Sequence, residues 1–247
     1  MDVVDLREFY ASRLGNTTRR LIANRLKPKC GNLAGATVMG LGYALPYLDE
    51  LVPDSALSLG FMQARQGVIH WPGDGATRSA LVDDIDLPLL ESVVDLALVV
   101  HGLELSQAPA EMLREVWRVL SPQGRLLLVV PNRRGLWARF DTSPFGHGQP
   151  FSRPQLTGLL RDCEFSIMSW SPALYFPPSG RSVGLSSAPA IEEVGSRLMP
   201  ALSGVLIVEA VKQVYAIASG KRVRRLSPRF RPALVPSTSQ RSLEKTP

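Results

Sequence analysis

Four groups of residues in this sequence have types and spacings that could do chemistry. His101 directly follows an apolar run, Val93 to Val100, and is followed by Gly102, Leu103 and Glu104. An imidazole titrates near neutrality, so His101 could move a proton or contact a bound ligand, or equally be a satisfied structural residue. Gly40-Leu41-Gly42 joins a short apolar triplet, Thr37-Val38-Met39, to a helix-forming stretch from Ala44 to Leu51. A strand that passes through glycines into a helix lets the backbone approach a nucleotide-like ligand closely. His147 lies between Gly146 and Gly148 in the long loop DTSPFGHGQPFSRPQL, and is the candidate general base on a segment of lid-like length. Arg133, Arg134 and Arg139 with Trp137 could hold an anionic or aromatic substrate, or form a solvated helix face. Nothing resembles a Ser-His-Asp nucleophile, a phosphate loop with its lysine, or a paired-carboxylate metal site. Cys30 and Cys163, the two cysteines, are far apart and lack metal-ligand spacing.

The elements that must position these residues centre on Val93 to Arg134. VVDLALVV is too short to span a membrane and reads as a strand buried on both faces. Pro109 can open the helix that follows, and Met112, Leu113, Val116, Trp117 and Leu120 recur at three- and four-residue spacing. Ser121-Pro122-Gln123-Gly124 is expected to end that helix, and RLLLVVPNR to form the next strand. Strand, crossover helix and strand make a βαβ unit of a parallel sheet covered by helices. His101 and Arg133 then both fall just beyond strand ends, where open α/β sheets bind ligands. Upstream, Asp5 to Leu26 predicts two amphipathic helices broken at Gly15-Asn16-Thr17, the second capped by Asn16 or Thr17. Downstream, Ser152 predicts the cap of a helix to Asp162. FSIMSWSPALYF and GVLIVEAVKQVYA predict two final strands, with a helix over 190–199 between them.

The central stretch resembles the fourth strand, following helix and fifth strand of class I S-adenosylmethionine-dependent methyltransferases, most closely the type 11 branch. The residues that carry the likeness are His101, Leu103-Glu104, Leu113-Arg114-Glu115 and the turn Leu120-Ser121-Pro122-Gln123-Gly124-Arg125-Leu126. The likeness spans roughly residues 35 to 135 and implies a Rossmann-like, seven-stranded, mostly parallel sheet with an antiparallel last strand and helices on both faces. It implies S-adenosylmethionine as cofactor, with Gly40, Leu41 and Gly42 at the glycine motif and His101 contacting the cofactor or the methyl acceptor. Asp83, with Asp84 as its rival, occupies the position that accepts from the adenine amino group. Two departures stand out. Met39 and Ala44 occupy the positions of the acid before the first glycine and of the third glycine. The acid that holds the ribose hydroxyls after the second strand is missing, leaving Gln63 or Gln66, each with one carbonyl acceptor.

The chain has 247 residues and a net charge of +6, with a sequence pI near 9.7. Its length suits one α/β domain, read as residues 31–217 behind a helical extension, 1–30, and ahead of a basic tail, 218–247, whose Pro, Ser and Arg content predicts disorder. That tail is a route to nucleic acid, though the body carries no RNA-binding motif to match it. The amphipathic, acidic start is unlike a secretory signal, and no apolar run reaches membrane-spanning length, so a cytoplasmic location is expected. The leading expectation is a methyltransferase acting on a small-molecule or lipid-like acceptor. The alternatives are a methyltransferase-like regulatory or interaction module without catalysis, and an RNA methyltransferase using the tail. The acceptor and the oligomeric state are left open by the sequence.

Overall fold

Residues 1–53, 56–178 and 187–213 are described by the computed structural model of the chain. Backbone contacts divide the chain into Met1–Val214 and Tyr215–Pro247; the second unit, with the basic tail, lies outside the described residues.

Seven strands form one sheet: β1 (Thr37–Gly42), β2 (Leu57–Gln63), β3 (Ser79–Val82), β4 (Val94–Val100), β5 (Leu120–Pro131), β6 (Phe165–Trp170) and β7 (Val205–Lys212). Their order is β3-β2-β1-β4-β5-β7-β6, and β7 runs antiparallel to both of its neighbours while β1 to β5 pair in parallel. The expected fold class is therefore the observed one. Chain direction across the sheet reverses between β1 and β4, so the carboxyl ends of these two strands flank the crevice of the fold.

Successive residues of a strand face opposite sides, and the valine- and leucine-rich central strands supply two apolar layers at once. Leu127 and Val129 of β5 face one layer with Val38, Leu98 and Val100. That layer is covered by helices α1 (Val3–Ala11), α2 (Arg13–Cys30) and α3 (Leu45–Leu51) through Leu6, Ile22, Leu26 and Leu48. Leu126, Leu128 and Val130 face the other layer, against α4 (Pro109–Val119) and α5 (Arg153–Asp162). On α4 the predicted stripe is buried at Met112, Leu113 and Val116, and each such side chain contributes about 1.5–3 kcal/mol by leaving water. Helix α5 starts as its sequence predicts, with Ser152 and Gln155 forming a reciprocal capping box. Helix α6 (Ala188–Leu198) lies before β7.

The strand expected over FSIMSWSPALYF ends at Trp170 as β6, and two further boundaries, both at helix ends, also differ from expectation. The first helix pair breaks at Ser12, whose backbone is extended and whose hydroxyl accepts from the Gly15 amide, not at Gly15 to Thr17. Gly15 lies inside α2, where a Cβ would come within 1.9 Å of the Phe9 carbonyl oxygen; its role is tight helix crossing rather than helix breaking. Asn16 and Thr17 bond back to the Ser12 and Arg13 carbonyls and cap nothing. The second of these follows α4. Leu120 already pairs with Val94, and Ser121 to Gly124 then bulge out with Gln123 at φ of 65° before pairing resumes between Leu96 and Arg125, so the expected turn is present but lies within β5. The carbonyls left unpaired at this helix end are met by the buried Lys212 of β7, whose Nζ donates to Leu120 O at 2.6 Å and lies 4.1 Å from the Trp117 ring centre.

Candidate functional site

The crevice between β1 and β4 is built around His101. It follows β4 in a left-handed conformation, with φ of 50°, and its side chain is 1% exposed. A non-glycine residue held there stores strain and persists only where its surroundings fix it. They do so on both ring nitrogens. Nε2 lies 2.9 Å from the Tyr10 hydroxyl, and Nδ1 lies 3.3 Å from Oε1 of Glu104, itself 1% exposed. Tyr10 in turn lies 3.0 Å from the hydroxyl of Tyr47. Burial raises the pKa of both phenols well above the ordinary value, so they stay protonated. One assignment satisfies the chain: Tyr47 donates to Tyr10, Tyr10 donates to Nε2, and Nδ1–H donates to Glu104.

The glycine turn is committed to protein contacts. Gly42 has φ of 79°, and a Cβ there would sit 2.4 Å from the Val100 carbonyl oxygen. A Cβ on Gly40 would meet Leu48 Cδ1 at 2.8 Å. The Leu41 side chain is buried in the layer facing α4, leaving only its backbone for any ligand. Met39 and Phe61 are buried in that same layer. What fills the space beside the turn is Tyr10 of α1. Its ring stacks on Tyr43 at 5.6 Å and 25°, and Phe145 closes the far side of His101 at 4.6 Å.

The glutamines at the end of β2 act as donors. Gln63 Nε2 donates to Asp84 Oδ2 at 2.7 Å and to Gly102 O at 3.3 Å, while Gln66 Nε2 donates to the His101 carbonyl. Together they latch the end of β2 to the loops after β3 and β4. Asp84 rather than Asp83 makes the link; Asp83 is exposed, and its Oδ1 accepts from the Ile85 amide within its own turn. Gln63, Gln66, Asp83, Asp84 and Ser106 line a hollow of about 330 Å³. Two buried acceptors beside it, Gln66 Oε1 and Glu104 Oε2, meet no donor among the described residues.

The remaining candidates fall elsewhere. His147 is half-buried, its Nε2 bonds to the Asp141 carbonyl at 3.0 Å, and it lines a separate hollow with Asp5, Glu8 and Phe9. Trp137 offers no face to a substrate. It is fully buried between Phe145 and Phe176 and donates to the Phe176 carbonyl at 2.7 Å. Arg133 donates to Pro150 O at 3.2 Å, whereas Arg134 and Arg139 border a third, apolar hollow. Sequence reasoning missed Tyr10 and Glu104 as partners of His101. In sequence Tyr10 is one apolar position of an amphipathic helix, and only the packing of α1 on the crevice distinguishes it. No helix among the described residues is long and apolar enough to cross a membrane.

A family model described as a methyltransferase domain matches residues 63–128. No curated protein matches the chain. Among solved structures, an S-adenosylmethionine-dependent methyltransferase of Thermotoga maritima is 16% identical, with 85% of this chain and 96% of that one covered at a TM-score of 0.56. Another from Mesorhizobium loti is 16% identical over 76% of this chain and 97% of its own, at 0.51. The [4+2]-cyclase SpnF is 18% identical over 80% and 81%, at 0.52. At these identities the likeness is one of fold, and the domain match falls on the segment that carries Asp84, His101 and the Leu113-Arg114-Glu115 helix. The chain has the class I methyltransferase fold, and its residues 63–128 match a methyltransferase domain.

Proposed function

We propose that the chain binds S-adenosylmethionine in the crevice between β1 and β4 and transfers its methyl group to a small-molecule or lipid-like acceptor. The observation that carries this reading is the hollow between Gln63, Asp84 and Ser106, open at the nucleoside end of the crevice and adjoining His101 through Gln66. When bound, the cofactor supplies an electrophilic methyl on a sulfonium whose departure as a neutral thioether needs no acid. What the protein must do is hold, align and dry the site.

The residues present fit such a group in part. Asp84 can accept from an adenine amino group, and Gln63 can offer its carboxamide to the ribose in place of the usual acid. The unpaired acceptors Gln66 Oε1 and Glu104 Oε2 suit an ammonium such as that of the methionine arm. Tyr10 lies on His101 beside the glycine turn, where that arm would be held, so binding would go with withdrawal of α1 about the extended residue Ser12. Residues 1–30 thus act as a cap on the 31–217 domain. Once the cap lifts, Nε2 of His101 is free to orient an acceptor, while Glu104 keeps Nδ1 protonated. His147 has no place in this scheme.

A second reading is favoured by the Tyr10 contact and the absent ribose acid: a methyltransferase-like module that holds no cofactor. Isothermal titration with S-adenosylhomocysteine separates the two. Saturable heat with the wild-type chain or with Tyr10→Ala supports cofactor binding; none with either rejects it.

A further inference from the structure

The third hollow lies where the turn after β5 faces α6, and its walls are unusually one-sided in character. Helix α6 is seated by Glu192, a 5% exposed carboxylate that accepts from the Leu174 and Tyr175 amides at 2.9 and 2.8 Å. Gly195 lets the same helix lie against the Tyr175 side chain, whose Cβ an added Cβ would meet at 2.4 Å. These two contacts fix the helix so that Ile191 and Val194, 37% and 55% exposed, face outward. Across from them stands Leu136, 44% exposed, held in place because the next residue, Trp137, is anchored in the core. Met199 and Leu202 extend the apolar lining, and the space enclosed is about 520 Å³, in the range of small-molecule sites.

Charge completes the pattern. Arg134 and Arg139 stand on the lining, no carboxylate does, and neither guanidinium has a side-chain partner among the described residues. The nearby Arg197, by contrast, is already paired with Glu193 at 2.9 Å. An apolar trough with unneutralised arginines at one side selects a molecule with an aliphatic body and an anionic head. We infer that this groove binds a monomeric anionic amphiphile of the long-chain carboxylate class. Trp137, the buried neighbour of the lining residue Leu136, leads toward the crevice by ring contacts, Trp137 to Phe145 at 5.5 Å and Phe145 to His101 at 4.6 Å. As a seat for the methyl acceptor the groove rests on the methyl-transfer reading; as a binding site it does not.

The test is calorimetric titration of the full chain with dodecanoate below its micelle concentration and without cofactor, beside dodecyltrimethylammonium as the cation of equal chain length. Saturable 1:1 binding of dodecanoate is expected, at least about tenfold tighter than the cation. Arg134→Glu with Arg139→Glu is expected to weaken dodecanoate about tenfold or more, and Val194→Asp to weaken both ligands. All three positions are exposed, so thermal transitions should match the wild type; Leu136→Asp on the opposite wall serves as a second probe should one variant misfold. Equal affinity for anion and cation, indifference to these substitutions, or binding only to anionic vesicles overturns the inference. So does a concentration-dependent dimer abolished by Val194→Asp, which would assign the face to a second copy. A blank titration with S-adenosylhomocysteine leaves this site standing, and a blank with dodecanoate leaves the methyl-transfer reading standing.

Discussion

Replacing Tyr10 by Phe removes one oxygen and should make the protein less stable but a better binder of cofactor product. The hydroxyl contacts His101 Nε2 at 2.9 Å and Tyr47 at 3.0 Å in a fully buried setting. Deleting it leaves a buried imidazole nitrogen and a buried phenol each one partner short, at a cost of about 1–2 kcal/mol after local adjustment. That cost falls on the conformation with α1 docked, and not on one with α1 withdrawn, where both groups meet water. The docking equilibrium therefore shifts by about five- to thirtyfold. Apparent affinity for S-adenosylhomocysteine should tighten by the same factor until the withdrawn form predominates. The melting temperature should drop by about 2–8 °C, at the 2–4 °C per kcal/mol usual for a domain of this size. Leu160→Ala, a buried truncation on α5 in the opposite layer, is the control: it should lower the melting temperature without changing affinity. Calorimetric titration and thermal denaturation of the three proteins supply the numbers. If Tyr10→Phe melts earlier yet binds no better than wild type, α1 does not compete with the cofactor and the cap is structural.

Two further outcomes follow from the geometry. Gly42→Ala forces a Cβ to within 2.4 Å of Val100 O at a left-handed backbone position, so urea titration should show a loss of about 2 kcal/mol or more. The Glu115 carboxylate, held by Arg118 and the Leu87 amide, has its pKa lowered below the ordinary 4.5 chiefly by the arginine's hydrogen bonds. Because the folded state binds that proton less readily than the unfolded one, its contribution is complete above pH 4.5 and vanishes as pH falls through the lowered value. Glu115→Gln should remove this part of the acid limb in a stability profile taken between about pH 3 and 6, leaving a shallower slope.

The parallel core was legible because its signals are local and redundant. The valine run before His101, the stripe on α4 and the Ser152 cap each specify their own element and agree with one another. Long-range packing was not legible in the same way. Gly15 reads as a breaker until Phe9 is seen lying across it, and the pairing of Leu120 with Val94 ahead of the Ser121-Pro122-Gln123-Gly124 turn has no signal in the local sequence. The site shows the same division. The strand ends that carry Asp83 and Asp84, His101 and the glycine turn were locatable from pattern and resemblance, whereas the choice of Asp84 over Asp83 as the residue facing the end of β2 was not. That the glutamines would donate, that Trp137 would turn inward and that Tyr10 would reach His101 depended on which helix lay over the crevice. Residue order alone does not carry that.

The reciprocal bonds between Asp2 and Asp5 cap α1 just ahead of Val3, and Met1 touches both the hollow beside Gln63 and the one beside His147. A purification handle fused ahead of Met1 would thus emerge directly over the mouth of the crevice. Titrations on tagged protein would report the handle's influence on helix docking along with that of the native residues, and cleaving it is a precondition for comparing variants of Tyr10.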